Sequence, residues 1–593
     1  MIGYFGSVTK KTFSSSDSER KLDFWSAESS EHIFRLEGAN SCTATLERNG
    51  VKMLSLGLMR REGKPFQKDQ SIVLGEILDE YEKTGNFNVS GIDGSFAVLL
   101  ANPKSDQFFL FRNVVGGNFA YYTQTENGLF FGNKLADVAR KSGQTLKCDE
   151  SQLPLFFVFR FVPESSTLFK NIYRIHPGEL LVWNRGKTQI QRIQTVSDFL
   201  EPHCTNEPES VERLEATMTE VFRDWFERYP NTAGLLSGGV DSTYLQMKWN
   251  QVWKSSHLSS EKPKSVCVAL DHPHTKMDLE YTMSAVEECG TQHWSITQPI
   301  LNADFMRMVT AYCGEMPNHV QSFYFWTLGQ GMREYGIDAG LSGEGADGLF
   351  GSDGPVNIQH AIRSQKKYPS HLLRSLLSFV GNVIKPENCT SKALLLANHL
   401  DDISWAHHPL NSTQAINTIP VLEKVFSKDQ LNEVLAFRSN RIGASGVPDD
   451  IHHFQRTNLS GFFFEGVNSQ AYWSQMLLSH DVMLFSPFMD SRILRVAFNI
   501  DVDVRFAPPT TKPILRKALT RHVSEEFVKR PKLSFGQPIF EWLSPGGSLR
   551  QAAEQIADYP FMPKKIKLQI LDRPNWMLWN LLCFDLWYKE FID

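Results

Sequence analysis

Leu235–Leu236–Ser237–Gly238–Gly239–Val240–Asp241–Ser242 is the stretch on which the reading of this chain turns. Thr232–Ala233–Gly234 leads into it from a charged helical segment, and Thr243–Tyr244–Leu245–Gln246–Met247 continues from it as the first turns of a helix. A buried strand, a Ser/Gly turn and a helix N-terminus bring unpaired backbone N–H groups and the positive end of a helix dipole to one point. Such a point holds anions, phosphates among them. Gly238 and Gly239 let the backbone approach phosphate oxygens, and Ser237 and Ser242 add hydroxyl donors. Asp241 is repelled by an anion there unless a divalent cation lies between them.

No Lys-Ser/Thr follows the glycines, so this is not a Walker loop. SGGxDS after a strand is instead the signature of pyrophosphate loops, which serve enzymes that cut ATP between its α and β phosphates. The surroundings agree with a parallel α/β sheet. Val211, Leu214, Met218, Val221, Phe222 and Trp225 recur at helical spacing before the loop. Lys264–Leu270 reads as a second buried strand, residues 278–289 as a helix and residues 293–296 as a third strand. The resulting β-α-β-α-β series places ligands at the carboxyl ends of the strands. Tyr335–Leu341 is another strand-like run, and Ser342–Gly343–Glu344–Gly345–Ala346–Asp347–Gly348 follows it as a second Gly-rich turn at the same sheet edge. There Asp241 and Asp347 are the pair able to hold one Mg²⁺ against phosphates; taken alone, Asp347 reads equally well as the cap of the next helix.

The 593 residues exceed a single core, and 41% hydrophobic with 21% charged residues is ordinary for a soluble globular chain. A net charge of −5 argues against a general nucleic-acid binder. The eight cysteines are scattered without a CxxC pair, as in a reduced compartment. Neither a signal-peptide core nor an 18-residue apolar run is present, so the expectation is a cytoplasmic protein with no membrane partner. Residues 1–190 read as β-rich: Ser71–Leu74, Phe96–Leu100, Phe108–Phe111 and Gly128–Asn133 are apolar runs between turn clusters, and a strand ending at Trp183 closes the series. Residues 191–207 read as a linker and 208–593 as the second domain, mostly helical from about 357 to 481. The basic cluster Thr511–Lys517 reads as solvated surface, with Lys532 of Arg530–Pro531–Lys532 more constrained.

Together these motifs resemble the glutamine-dependent asparagine synthetases and their relatives. The family's SGGxDS, SGEGxDExFxG, SPFxDxR and RPKxGF elements stand here, in that order, as Ser237–Ser242, Ser342–Gly351, Ser486–Arg492 and Arg530–Phe535. Gly348 replaces a glutamate and Ser534 a glycine. The resemblance implies an α/β fold: an N-terminal Ntn-hydrolase-like sandwich, then a pyrophosphate-loop (adenine nucleotide alpha hydrolase-like) synthetase domain with a parallel sheet and a helical extension. It implies ATP with adenine near Leu235, Val268, Ser342 and Gly343, pyrophosphate on Ser237, Gly238, Gly239 and Ser242, and Mg²⁺ on Asp241 and Asp347. A carboxylate attacks the α-phosphate and an amine then displaces AMP to leave an amide. Lys532 stabilises developing negative charge, and Glu344 orients or deprotonates the amine.

The N-terminal half resembles the family's glutaminase domain but departs from it at two points. The family begins Met-Cys-Gly-Ile-Phe-Gly, and its cysteine is the nucleophile; this chain begins Met1–Ile2–Gly3–Tyr4–Phe5–Gly6. The family's oxyanion-binding Asn-Gly-Glu-Ile element stands as Leu74–Gly75–Glu76–Ile77. The expectation is amide synthesis without glutamine hydrolysis. Relatives lacking the cysteine include β-lactam synthetases and lasso-peptide cyclases. Glu344 stands where β-lactam synthetases have tyrosine, which weakens that option, and the enlarged region from about 357 to 481 has room for a bulky substrate; the preferred expectation is macrolactam closure of a precursor peptide, with a leader-binding or protease partner. The other readings are β-lactam-like closure, ammonia-dependent amidation of a small acid, and a non-catalytic scaffold.

Overall fold

A computed structural model describes residues 3–11, 23–39, 43–163, 165–200, 206–256, 260–270, 276–315, 320–351, 419–434, 467–506, 510–530 and 536–593, with isolated positions between them. Most of the 357–481 region, Ile2 and the segment Pro531–Phe535 with Lys532 lie outside the described residues.

The first half is a sandwich of two antiparallel sheets. Its strands are β1 (Gly3–Lys10), β2 (Asp23–Glu28), β3 (His32–Ala39), β4 (Thr43–Arg48), β5 (Val51–Arg61) and β6 (Ile92–Asn102). They continue as β7 (Gln107–Arg112), β8 (Tyr121–Thr125), β9 (Gly128–Gly132), β10 (Tyr173–Arg174), β11 (Glu179–Asn184) and β12 (Lys187–Arg192). One sheet runs β10-β8-β9-β1-β3-β2 and the other β12-β11-β7-β6-β5-β4. Side chains alternate between faces along each strand. On β9, Leu129 and Phe131 therefore enter the inter-sheet core with Val8, Phe34, Leu99 and Trp183, while Phe130 joins a second cluster on the outer face. On β6 both faces are covered, Leu99 inward and Val98 and Leu100 outward, so its sequence is continuously apolar. The strand ending near Trp183 is not the last: β12 pairs with β11 along its whole length, and its exposed Lys-Thr-Gln-Ile-Gln-Arg sequence is that of a solvated edge.

Ser71–Leu74 is not a strand. It begins helix α1 (Gln70–Thr84), which Asp69 caps by accepting from the Ser71 amide and Gly85 closes with φ 72°. Val73, Leu74, Ile77, Leu78 and Tyr81 recur every three or four residues and are buried against the outer face of the second sheet. Leu74–Ile77 is thus an interior helical turn whose backbone amides are committed to the helix.

The outer face of the first sheet is covered from both halves. Helices α2 (Leu135–Lys141) and α3 (Leu153–Phe159) lie there, and the helix Trp576–Phe591 shares their core. The second half starts with α4 (Glu207–Arg228) and builds a five-stranded parallel sheet, ordered β15-β14-β13-β16-β17. These strands are β13 (Thr232–Leu235), β14 (Lys264–Ala269), β15 (Gln292–Thr297), β16 (Ala339–Leu341) and β17 (Met483–Phe485). Its helices include α5 (Val240–Lys254), α6 (Lys276–Cys289), α7 (Ala303–Cys313), α8 (Ser322–Glu334) and α9 (Ala346–Phe350). Among the described residues no helix is long and apolar enough to cross a membrane.

Candidate active site

The loop after β13 is held by its own geometry. The Leu236 amide donates to the Val266 carbonyl at 2.9 Å, keeping the chain in register with β14 as it leaves the sheet. Gly238 has φ 73°, and a Cβ there would overlap the Tyr281 carbonyl of α6. Only glycine meets both conditions. The Ser237 and Ser242 hydroxyls share a hydrogen bond of 3.0 Å, and the Ser237 amide donates to the Ser242 hydroxyl at 3.2 Å. The turn is therefore closed before any ligand arrives. Gly239 caps α5 without a side chain, which leaves the helix N-terminus open to an anion.

Parallel pairing brings the second loop alongside. Gly234 of β13 faces Leu341 of β16, so Leu235 and Ser342 leave the sheet as neighbours. The Ser342 amide donates to the Phe485 carbonyl of β17 at 2.8 Å, and the Glu344 amide to the Ser342 hydroxyl at 3.2 Å. A Cβ on Gly343 would stand 3.1 Å from the Cβ of Asp241, so the two loops pack against each other. Gly345 is the N-cap of α9 and Asp347 lies in its first turn. Asp347 is therefore not the N-cap residue of α9, and its carboxylate pairs with Lys512 in the site.

Asp241 and Asp347 converge on Lys512. Its ammonium donates to Asp241 Oδ2 at 2.6 Å and also binds Asp347. The Lys512 side chain is 5% exposed, so within the cluster Thr511–Lys517 this residue is not solvated surface. Burial opposes its charge, but the two carboxylates outweigh burial and hold the ammonium above the usual lysine range. The second oxygen of Asp241, Oδ1, is buried and has no hydrogen-bond partner among the described residues. Two hard oxygen donors beside a phosphate-type loop suit Mg²⁺. Among the described residues no three His, Cys, Asp or Glu side chains gather at a metal-binding distance, so phosphate oxygens and water would complete the ion's shell. Sequence reasoning missed Lys512 because its partners are far away in the chain; its one local mark is the proline that follows, which starts the helix Pro513–Leu519.

The remaining expected residues divide. Leu235, Val268 and Ser342 lie toward the carboxyl ends of neighbouring strands. Lys532 is outside the described residues, but Arg530, two positions before it, stacks on Tyr281 at 4.9 Å and on Phe527 at 3.5 Å. Tyr281 is the residue whose carbonyl closes off Gly238. The Ser486–Arg492 motif is architectural: Asp490 caps the helix Ser491–Phe498, and Arg492 binds Asp490 at 2.9 Å and Asp224 of α4 at 2.7 Å.

Residues 231–589 match the protein family described as asparagine synthase, which spans the parallel sheet, both loops and Lys512. The chain belongs to the asparagine synthase family. As a member it is an ATP-dependent ligase that forms an amide bond. Residues 67–194 match the glutamine amidotransferase domain, in keeping with the Ntn-type sandwich. Similar asparagine synthase relatives include asparagine synthetase [glutamine-hydrolyzing] 1 of Bacillus subtilis (strain 168), 22% identical, with 90% of this chain and 83% of that protein covered. A putative asparagine synthetase [glutamine-hydrolyzing] of Mycobacterium bovis is also 22% identical, covering 87% and 79%. A Gibberella zeae protein named Amidase chry2 is 19% identical, covering 85% and 83%.

Proposed function

We propose that the protein activates a carboxylate as an acyl-adenylate and joins it to an amine without hydrolysing glutamine, the substrate being a precursor peptide that closes to a macrolactam. The observation that carries the adenylation reading is the convergence of Asp241 and Asp347 beside the Ser237–Ser242 loop. ATP would lie with its adenine near Leu235, Val268, Ser342 and Gly343 and its β- and γ-phosphates on Ser237, Gly238, Gly239 and Ser242. Asp241 and Asp347 would hold Mg²⁺, which when bound neutralises phosphate charge.

A carboxylate oxygen attacks the α-phosphorus and pyrophosphate leaves toward the loop. The amine nitrogen then attacks the acyl carbon, AMP departs, and Glu344 takes the amine proton. Lys532 stabilises the negative charge that develops in both steps, the work of an oxyanion hole. The absence of glutamine hydrolysis rests on Ile2, which carries no nucleophile. A leader-binding or protease partner would deliver the peptide. Glu344 favours a second reading, ammonia-dependent amidation of a small acid, because an acid at this position is shared with asparagine synthetases.

The test is a mass-resolved turnover assay with ATP, Mg²⁺ and either precursor peptides encoded in the same genome or aspartate with ammonium, and Lys532→Ala as control. AMP plus a peptide lighter by one water is the expected result. AMP with nitrogen incorporated into aspartate would replace the peptide reading by the second one. No AMP with any acid and amine would point to a scaffold.

A further inference from the structure

Lys512 stands between the two carboxylates expected to hold a divalent ion. Asp241 and Asp347 come from loops after different strands, and both carboxylates meet at the Lys512 ammonium. Two carboxylates so near each other repel unless a positive charge lies between them. Lys512 supplies that charge with its side chain almost wholly buried. Its backbone has φ 54° and ψ 48°, a left-handed conformation unusual for lysine and disfavoured further by the proline that follows. The contact is also incomplete. Asp241 Oδ2 accepts from the ammonium, while buried Oδ1 has no partner among the described residues.

We propose that Lys512 is an exchangeable internal cation: it clamps Asp241 and Asp347 in the nucleotide-free protein and yields them to the divalent ion that arrives with ATP, moving its ammonium onto the phosphates. This rests on the reading that Asp241 and Asp347 hold Mg²⁺ in the loaded site. Free divalent cations must compete with a tethered ammonium and bind poorly. The metal–nucleotide complex brings phosphate oxygens that give the ammonium a new partner, so it binds well. The charge of Lys512 thereby orders the two binding events.

The experiment measures Mn²⁺ binding, by the loss of the free-ion paramagnetic resonance signal, with and without ATP. Wild type, Lys512→Gln and Lys512→Arg are compared. In wild type, Mn²⁺ alone should bind at least about tenfold more weakly than Mn²⁺ with ATP. Lys512→Gln should bind Mn²⁺ alone about tenfold more tightly than wild type, yet bind the Mn²⁺–ATP complex about tenfold more weakly. Lys512→Arg should keep the weak binding of free Mn²⁺. A merely structural lysine would weaken both affinities together on removal, and that outcome overturns the exchange. Wild type binding free Mn²⁺ as tightly as with ATP overturns it without any variant. Wild type that binds no Mn²⁺–ATP overturns the nucleotide reading of the site and the exchange with it.

Discussion

Arg174 of β10 donates to the carboxylate of Glu315, just beyond α7, at 3.0 Å, and neither side chain is more than 6% exposed. The pair joins the sandwich to the synthetase half. Tyr121 also donates to Glu315, Arg174 reaches the Tyr472 hydroxyl at 3.3 Å, and the guanidinium lies 4.8 Å from the Phe119 ring. Breaking a buried pair by removing one partner leaves an uncompensated charge. Glu315→Ala should therefore destabilise the protein by about 3–5 kcal/mol in urea unfolding. Tyr121→Phe, which removes one hydrogen bond, should cost about 1–3 kcal/mol. Equal and small losses for both variants would mean that the halves are held by apolar contact alone.

Gly238→Ala should abolish nucleotide binding at modest cost to the fold. The added methyl meets the backbone of Tyr281, which has no side-chain rotamer to relieve it, and φ 73° is unfavourable for alanine. Strain of about 1–3 kcal/mol is expected. Calorimetric titration with Mg²⁺–ATP should show no saturable heat while the thermal midpoint falls by only a few degrees.

Removing the charge of Lys532 should spare folding and strike the chemical steps. Lys532→Ala should lower AMP formation about 10²–10³-fold. ATP affinity should change far less than turnover, because in the proposed mechanism the charge that Lys532 answers develops in the transition state.

Glutamine should yield no glutamate. Ile2 stands at the position of the family's cysteine, and its side chain is no nucleophile. Incubation with millimolar glutamine, with and without ATP, should leave glutamate at the level of an enzyme-free control. Glutamate released in step with protein concentration would restore an active first domain.

Stability should decline below neutrality through His176. Burial, opposed in part by Glu179, pushes its imidazole down to about 3. The unfolded chain takes up a proton near pH 6.5 while the folded one resists, so folding loses free energy as pH falls through this window, by about 2 kcal/mol at pH 5. Urea midpoints measured at pH 7 and pH 5 should differ accordingly, and His176→Asn should flatten that difference.

Some of this molecule is local and could be read directly. Ser237–Ser242 works through the backbone of one turn and the helix after it, so six consecutive residues carry its geometry. Other readings failed for a physical reason. Ser71–Leu74 is apolar on three of four residues, too few to separate a period of two from one of 3.6. The cap at Asp69 and the spacing through Tyr81 decide for the helix. Leu74–Ile77 matched a motif by its letters while its backbone was already occupied in that helix.

What the chain determined by itself is the order of its motifs: Ile2 where the family has cysteine, then a strand, a phosphate-type turn and a second acidic turn. Those properties depend on neighbours in sequence. The tertiary structure decided which charges meet. Lys512 lies 271 positions from Asp241, and only the parallel pairing of β13 with β16 and the docking of Pro513–Leu519 bring the ammonium between two carboxylates. Charge acts through space, and the chain's own order carries no measure of that distance.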